Sequence, residues 1–306
     1  MTPGPPLSPA GRAILTVDVE DWGQSTLDQD LPITGRVVEN TRCMLELCAG
    51  CAARGTFFVL GLVAERFPAL VREIEQAGHE VATHGASHRA VKDLGRAGFR
   101  KDVRRSIRAI QDASGRSVFG YRAPDFSISE SELWALEILA EEGLRYDSSI
   151  FPFRGPRYGI PQAFRHPFLV QCRANPRFAE FPLATLEVAG VRLPVAGGGY
   201  FRLLPYVLTR RALDRLRRSG VPFTCYFHPY ELNVGELTQP PFPVPLSLRV
   251  SQRLGRGRVA GRLRRLFRDF HWTPVRDQLE DANLFAGRTL IPGDPPDVPL
   301  RWVKTI

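Results

Sequence analysis

The stretch AILTVDVEDW, residues 13–22, governs how the rest of the chain is read. An apolar run leads into three carboxylates, Asp18, Glu20 and Asp21, within four positions. A half-exposed strand alternates polar and apolar residues along its length, whereas this one is apolar first and acidic last. Carboxylates crowded at the end of a buried strand repel unless a cation sits among them or one of them stays protonated.

Further short runs follow: GTFFVLG (55–61), HEVATH (79–84), SVFGYRA (117–123), LRYDSS (144–149) and VPFTCYFH (221–228). Helical patterns lie between them at 37–53, 68–77, 99–113, 129–142 and 206–219. This alternation predicts a parallel α/β fold, either a (β/α) barrel or a doubly wound sheet. No glycine-rich phosphate loop opens any helix, which disfavours a nucleotide-binding sheet. Nearly every run ends in a residue capable of chemistry: Asp18, His84, Arg122, Asp147 and His228. Parallel barrels build their active sites at the carboxyl ends of their strands. His84 and His88 stand four apart in HGASH, a spacing that suits a helical turn or a strand-to-helix turn. Two histidines with one carboxylate make a metal site that keeps positions open for water and substrate. His79, in the same stretch, is read as a strand-capping or packing residue, and His166 and His271 as surface or linker residues.

The 306 residues carry 41 Lys and Arg against 32 Asp and Glu, a net charge of +9, with an otherwise ordinary globular composition. Of the five cysteines, Cys48 and Cys51 form a C-x-x-C with no second pair, so the thiols are expected reduced or packed. The amino-terminal residues show no long apolar run, and the expected location is the cytoplasm. Residues 150–205, rich in Pro, Gly and aromatics, are expected to form an irregular insertion over one face of a barrel domain spanning 1–235. Residues 236–306 are expected to form a proline-rich linker and a basic extension. Eight arginines and no acids fall between Leu246 and Arg268. With Val259, Leu263, Leu266, Phe267 and Phe270 at helical spacing, they predict one Arg-rich amphipathic helix over 249–268. Such a helix either packs by its stripe with a solvated basic face or meets anionic lipid or a phosphorylated carrier. No motif supports nucleic-acid binding.

With those segments in order, residues 10–232 resemble a polysaccharide deacetylase of the NodB-homology type, carbohydrate esterase family 4. TVDVEDW stands at the family's acidic motif, HGASH at its His-rich motif, GYRAPDF at its Arg-x-Pro motif, YDSSIFP at its Asp-bearing motif and YFHPYEL at its His-Pro motif. DVEDW, GGGYFRLLP and FHPYEL further resemble a branch found beside exosortase and exopolysaccharide loci, whose carboxyl-terminal extension is similar to RLRRLFRDFHWTP here. The resemblance implies an irregular (β/α)7 TIM-like barrel and metal-assisted amide hydrolysis. It implies Asp18 as general base, Arg122 as the residue that orients and tunes it, and His228 as general acid with Asp147 fixing its tautomer. It implies His84 and His88 as metal ligands and the backbone N–H after Pro124 as an oxyanion donor.

Two departures stand out. The family's common motif has adjacent Asp residues, but Val19 follows Asp18 here, so the carboxylate ligand is Glu20 if the strand continues and Asp21 if the chain turns. Asp125 stands where a neutral or aromatic residue is usual. The metal is expected to be Zn, with Co, Ni or Fe also suited to the donor set. Trp22, Tyr200 and Arg202 are candidate substrate contacts, and Glu231 is either a second carboxylate behind His228 or a surface residue. The expected substrate is an N-acetylamino sugar. The alternatives are deformylation or hydrolysis of another amide or cyclic imide, and, from another class, a non-catalytic sugar-binding barrel.

Overall fold

The computed structural model describes residues 13–155, 158–220, 222–237, 240, 242–293 and 300–304. The amino-terminal residues 1–12 and part of the proline-rich linker, 238, 239 and 241, lie outside the described residues. In chain order the strands are β1 (Ala13–Val19), β2 (Thr56–Val59), β3 (Glu80–Thr83), β4 (Gly120–Tyr121), β5 (Tyr146–Asp147), β6 (Phe168–Val170), β7 (Phe178–Glu180), β8 (Thr185–Val188), β9 (Val191–Pro194), β10 (Phe223–Phe227), β11 (Trp272–Thr273), β12 (Arg288–Ile291) and β13 (Arg301–Lys304). Seven of them run in parallel in the order β10-β1-β2-β3-β4-β5-β7. A parallel bridge from Leu183, just past β7, to Thr224 in β10 brings the two edges together. The result is an irregular seven-stranded α/β barrel.

The period of two along each strand decides what lies inside. On β1, Ala13, Leu15, Val17 and Val19 face the core beneath the surrounding helices. Ile14, Thr16, Asp18 and Glu20 take the opposite, inner face, so the barrel interior changes from apolar to polar along one strand. Gly120 is required on β4, because a Cβ there would sit 1.9 Å from the Tyr146 ring that fills the interior.

The segment beyond 235 is built into the barrel and does not hang from it. β11 pairs with β1 in parallel. Val275, Leu279, Leu284 and Phe285 pack with Ile14, Phe58, Ala82, Tyr146, Ala179 and Phe181, closing the amino-terminal end of the barrel. There, the buried Glu80 accepts from the Thr56 hydroxyl at 2.6 Å, the Tyr146 hydroxyl at 3.0 Å and the Arg276 N–H at 3.0 Å. The Arg-rich stretch is two helices, Leu246–Arg253 and Val259–Asp269, not one. Gly255 breaks them at φ 74°, where a Cβ would come 2.5 Å from the Arg202 carbonyl oxygen. The predicted stripe does pack, with Val259, Leu263, Leu266, Phe267 and Phe270 all buried. The insertion contributes β6, antiparallel to β7, the hairpin β8–β9, and the helix Gly198–Leu203. Burial pushes the Cys48 thiol up to about 12, which makes it an inert packed group.

His79 lies at the amino-terminal end of β3, far along the strand from His84. Its Nδ1 accepts the Gly55 N–H at 3.2 Å and its ring sits 4.6 Å from Phe57. Burial first, then Arg54 and Arg276, lower its pKa to about 4. The unfolded chain therefore takes up a proton near pH 6.5 that the folded one refuses until about pH 4. Stability is lost as the pH falls through this window, by up to ~3 kcal/mol. Asn at position 79 keeps an acceptor for the Gly55 N–H without the titration. His79→Asn is expected to lose less stability than the native chain between pH 7 and pH 5 in urea unfolding; equal losses would remove His79 as a cause.

Candidate active site

Asp18, Glu20, His84, Arg122 and His228 converge at the carboxyl-terminal end of the barrel because each occupies an inward position at or just beyond a strand end. They line, or lie directly beneath, a cleft of about 350 Å³ whose wall also includes His88, Asp125, Tyr226 and Glu231. Glu20, His84 and His88 present ligand atoms within 4.8 Å of one another, all buried. Glu20 Oε2 lies 3.2 Å from His84 Nε2 and 2.8 Å from His88 Nε2. His84 Nδ1 is 2.8 Å from the Arg122 carbonyl oxygen, to which it donates. In the neutral ring this leaves the Nε2 lone pair facing a carboxylate. That contact is repulsive unless a proton or a cation is shared, and a divalent cation satisfies all three donors at once. Burial pushes the Glu20 carboxyl up, but His88 and His84 together hold it well below the usual range. Burial opposes charge on His88, and Glu20 outweighs it, raising its pKa.

The histidines do not sit on a helix. HGASH is a loop after β3, and the following helix begins only at Val91. Asp102, on that helix, accepts from Ala86 N at 2.7 Å, Ser87 N at 3.2 Å and Ser87 Oγ at 2.8 Å, which fixes the loop. The N–H groups of Gly61 and Leu62 donate to the Gly85 and Ala86 carbonyls. Gly85 takes φ 78°, and a Cβ there would meet the Asp102 carboxylate at 2.8 Å. Nothing in the spacing of HGASH pointed to Asp102.

Asp21 does not join the cluster. Its carboxylate turns away to accept from Gly23 N at 3.0 Å, Thr34 N at 2.7 Å and Thr34 Oγ1 at 2.5 Å. β1 runs straight to Val19, so Glu20 keeps the inward parity of Asp18 and Asp21 takes the opposite one.

Arg122 is fully buried and holds Asp18 Oδ1 at 2.8 Å. Its other donors reach Thr16 Oγ1 at 2.6 Å, the Ser148 carbonyl at 2.8 Å and Ser148 Oγ at 2.7 Å, and its guanidinium lies 4.3 Å from the Phe58 ring centre. Asp18 Oδ2 faces His228 Nε2 at 3.9 Å, and Glu20 Oε1 lies 3.7 Å from the same nitrogen.

Asp147 is placed elsewhere than expected. Tyr146 and Ser148 occupy the inner face of β5, so Asp147 points outward. It accepts from Ser149 Oγ at 2.6 Å and Ser149 N at 3.1 Å, while Ser149 Oγ accepts the Ala123 N–H at 2.8 Å. Its neighbour Glu180 is pushed far up by burial and by Asp147. Asp147 thus pins the turns after β4 and β5 and does not touch His228. The carboxylate beside His228 is Glu231, 3.5 Å from Nδ1. Burial lowers the His228 pKa, but Glu231, then Glu20 and Asp18, outweigh it and raise it to about 9. Tyr230 stacks on the His228 ring at 4.9 Å, and the buried Arg256 of the carboxyl-terminal segment donates to the Tyr230 carbonyl at 2.6 Å. Arg202 lies 3.8 Å from Glu231 and donates to Gln252 Oε1 at 3.1 Å.

Among the candidate substrate contacts, Arg202 lines the cleft. Tyr200 sits on the other side of its short helix, in an apolar groove. Trp22 is buried against Tyr230 and Leu237 and does not line the cleft. Pro124 is buried between Ala123 and Asp125, both of which do. Asp125 and Phe126 take left-handed φ of 54° and 51°, the backbone strain typical of a turn shaped by its surroundings. In GGGY, Gly197 approaches β10 so closely that a Cβ would lie 1.8 Å from the Tyr226 carbonyl oxygen.

Residues 20–146 match the family model for polysaccharide deacetylases, and residues 148–280 match a domain of unknown function (DUF3473). The second match runs across position 235, in keeping with the packing of the later segment into the barrel. A chitooligosaccharide deacetylase of Sinorhizobium fredii is 37% identical over 82 residues, 26% of this chain and 38% of that protein. The chain spans about a third of the length of the curated relatives it matches. The crystal structure of a putative polysaccharide deacetylase from Mycobacterium smegmatis covers 93% of this chain and 90% of its own at a TM-score of 0.55 and 21% identity. That of Puue allantoinase covers 90% and 93% at a TM-score of 0.57 and 15% identity. Both carry the same fold, which by itself does not select a chemistry. The five motifs fall in order on one barrel end, and over residues 20–146 the chain is similar to the polysaccharide deacetylase family.

Proposed function

We propose that the protein is a metal-dependent hydrolase that removes the N-acetyl group from an N-acetylamino sugar. The observation that carries this reading is the placement of Asp18 and His228 on the rim of the Glu20, His84 and His88 cluster, in one cleft. Glu20, His84 and His88 would hold a divalent cation, Zn by the chemistry of the donor set, and that ion would supply positive charge to polarise an amide carbonyl and make water a stronger acid. Asp18, fixed by Arg122, is the base that accepts the proton of the attacking water. His228 is the acid that protonates the departing amine, and its elevated pKa keeps it charged near neutrality. Glu231 takes the role expected of Asp147 and holds the His228 imidazolium from the Nδ1 side. Asp125 lines the cleft, and its backbone N–H, directly after Pro124, is the donor for a developing oxyanion. Arg202 is a contact for the sugar.

The test is release of acetate from N-acetylglucosamine and its oligomers by protein loaded with zinc or cobalt, with formate measured beside it from N-formyl analogues. Acetate release that a chelator abolishes is expected. No acetate from any N-acetylated sugar in metal-loaded protein would sink the reading, and formate alone would transfer it to deformylation.

Glu231→Gln removes the charge that raises the His228 pKa, so the acid form is lost at lower pH. The alkaline limb of the rate profile is expected to move toward acid, with kcat lower by about 10-fold. Asp147→Asn is expected to lower stability and leave that limb in place. A limb that moves only in Asp147→Asn would restore Asp147 as the partner.

A further inference from the structure

Twelve large apolar side chains are exposed among the described residues, and ten of them fall in three neighbouring segments. These are the hairpin β8–β9, the stretch 203–208 and the turns 246–254. The helix Gly198–Leu203 joins this surface to the active site. Gly198, Gly199 and Arg202 form one wall of the cleft. On its other side, Tyr200 and Phe201 line a groove of about 540 Å³ between the hairpin and helix Tyr206–Arg218. Leu203, Leu204, Val207 and Leu208 stand along its crest, 60%, 39%, 55% and 51% exposed. Against the same wall, Leu246, Val250 and Leu254 repeat every four residues along the helix Leu246–Arg253 and its cap, tied to the rim by the Arg202–Gln252 hydrogen bond.

The charge on this rim is mostly positive, and its acids are paired, Glu187 of the hairpin with Arg165 and Arg192. Arg211 and Arg215 edge the groove, are exposed, and make no ion pair among the described residues. The only acid on their helix, Asp214, is held by Arg217 and Arg218. No acid occurs from 246 to 268. Soluble monomers rarely expose contiguous apolar surface of this kind. Protein interfaces concentrate aromatic anchors, whereas this rim offers aliphatic side chains flanked by arginines whose stems can lie along acyl chains while their charges meet phosphate. No helix among the described residues is long and apolar enough to cross a membrane.

We propose that this rim docks the protein on an anionic phospholipid surface, with the cleft mouth turned toward the headgroup layer. The proposal rests on the rim and not on the chemistry assigned to the cleft. The full chain is to be sedimented with vesicles of phosphatidylcholine alone and of phosphatidylcholine with about one third phosphatidylglycerol. Binding is expected to the anionic vesicles, to weaken with salt, and to fall about 10-fold in Leu203→Asp/Val207→Asp and in Arg211→Glu/Arg215→Glu. Melting temperatures of these variants and their zinc binding are expected to match the native chain, which separates lost docking from lost folding. Failure of the native chain to bind anionic vesicles overturns the proposal, as do folded variants that bind equally well. A native dimer in sedimentation velocity that Leu203→Asp/Val207→Asp dissociates would assign the surface to a second copy instead, and overturn it too.

Discussion

Glu20→Gln is expected to lose high-affinity zinc or cobalt binding, while Asp21→Asn retains it. The two carboxylates are adjacent in sequence and opposite in orientation. Glu20 places one oxygen against both histidine Nε2 atoms, at 3.2 and 2.8 Å. An amide at this position removes the negative charge, and half of its rotamers turn an NH2 group toward the site. Loss of an outer partner of a metal ligand typically costs ~10–100-fold in affinity, and loss of the ligand itself exceeds that. Asp21 spends its carboxylate on Gly23 and Thr34. Its amide variant weakens charge-assisted hydrogen bonds at a cost of ~1–3 kcal/mol in stability and leaves the donor set whole. Calorimetric titration of both variants with zinc decides the matter. A Glu20→Gln protein that binds as tightly as the native chain, beside an Asp21→Asn protein that does not, would reverse the assignment.

The same parity argument explains which parts of the site could be seen in the sequence. β1 is seven residues long, and its alternation alone places Asp18 and Glu20 together on the inside. The strand ends at His84, Arg122 and His228 were visible because each follows an apolar run. β5 offered no such guide. It has two residues, Tyr146 and Asp147, too few to show a period, and the inward one is the tyrosine. Asp147 was therefore legible as present and not as turned away. Glu231 was undecided because a carboxylate three residues after a histidine is common on surfaces. Only the fold brings Arg202 and Arg256 beside it, and their charges add to that of His228, which does most to hold its pKa low against burial. The insertion and the later segment were illegible for a different reason. β6 pairs with β12, and Val275 packs on Ile14, across separations of more than a hundred residues for which a single sequence carries no pattern. The Arg-rich stretch read as one helix because periodicity survives the break at Gly255, and only the close Arg202 carbonyl requires the glycine.

Asp18→Asn is expected to lower turnover by roughly 10²–10⁴-fold while zinc and sugar still bind. Asparagine has the same shape, and its Oδ1 can still accept from Arg122 Nη1, which now lies 2.8 Å from the carboxylate. What it lacks is the ability to take up a proton. Asp18 is 2% exposed, and Arg122 beside it is fully buried, so the variant also leaves a buried guanidinium without its carboxylate. Removing one member of a buried ion pair can cost several kcal/mol. Here Thr16, the Ser148 carbonyl and the Ser148 hydroxyl still accept from Arg122, and Phe58 still covers its face, so a loss of ~1–3 kcal/mol is expected. The comparison with Glu20→Gln separates the two functions of the acidic strand end: one variant loses the ion and hence the reaction, the other loses the reaction and keeps the ion. Single-turnover acetate release, read beside zinc content, distinguishes them. Full turnover in Asp18→Asn would remove Asp18 as the base. Unchanged sugar binding without turnover in either the native chain or the variant would mark a barrel that binds and does not hydrolyse, because a site that only binds has no use for a base.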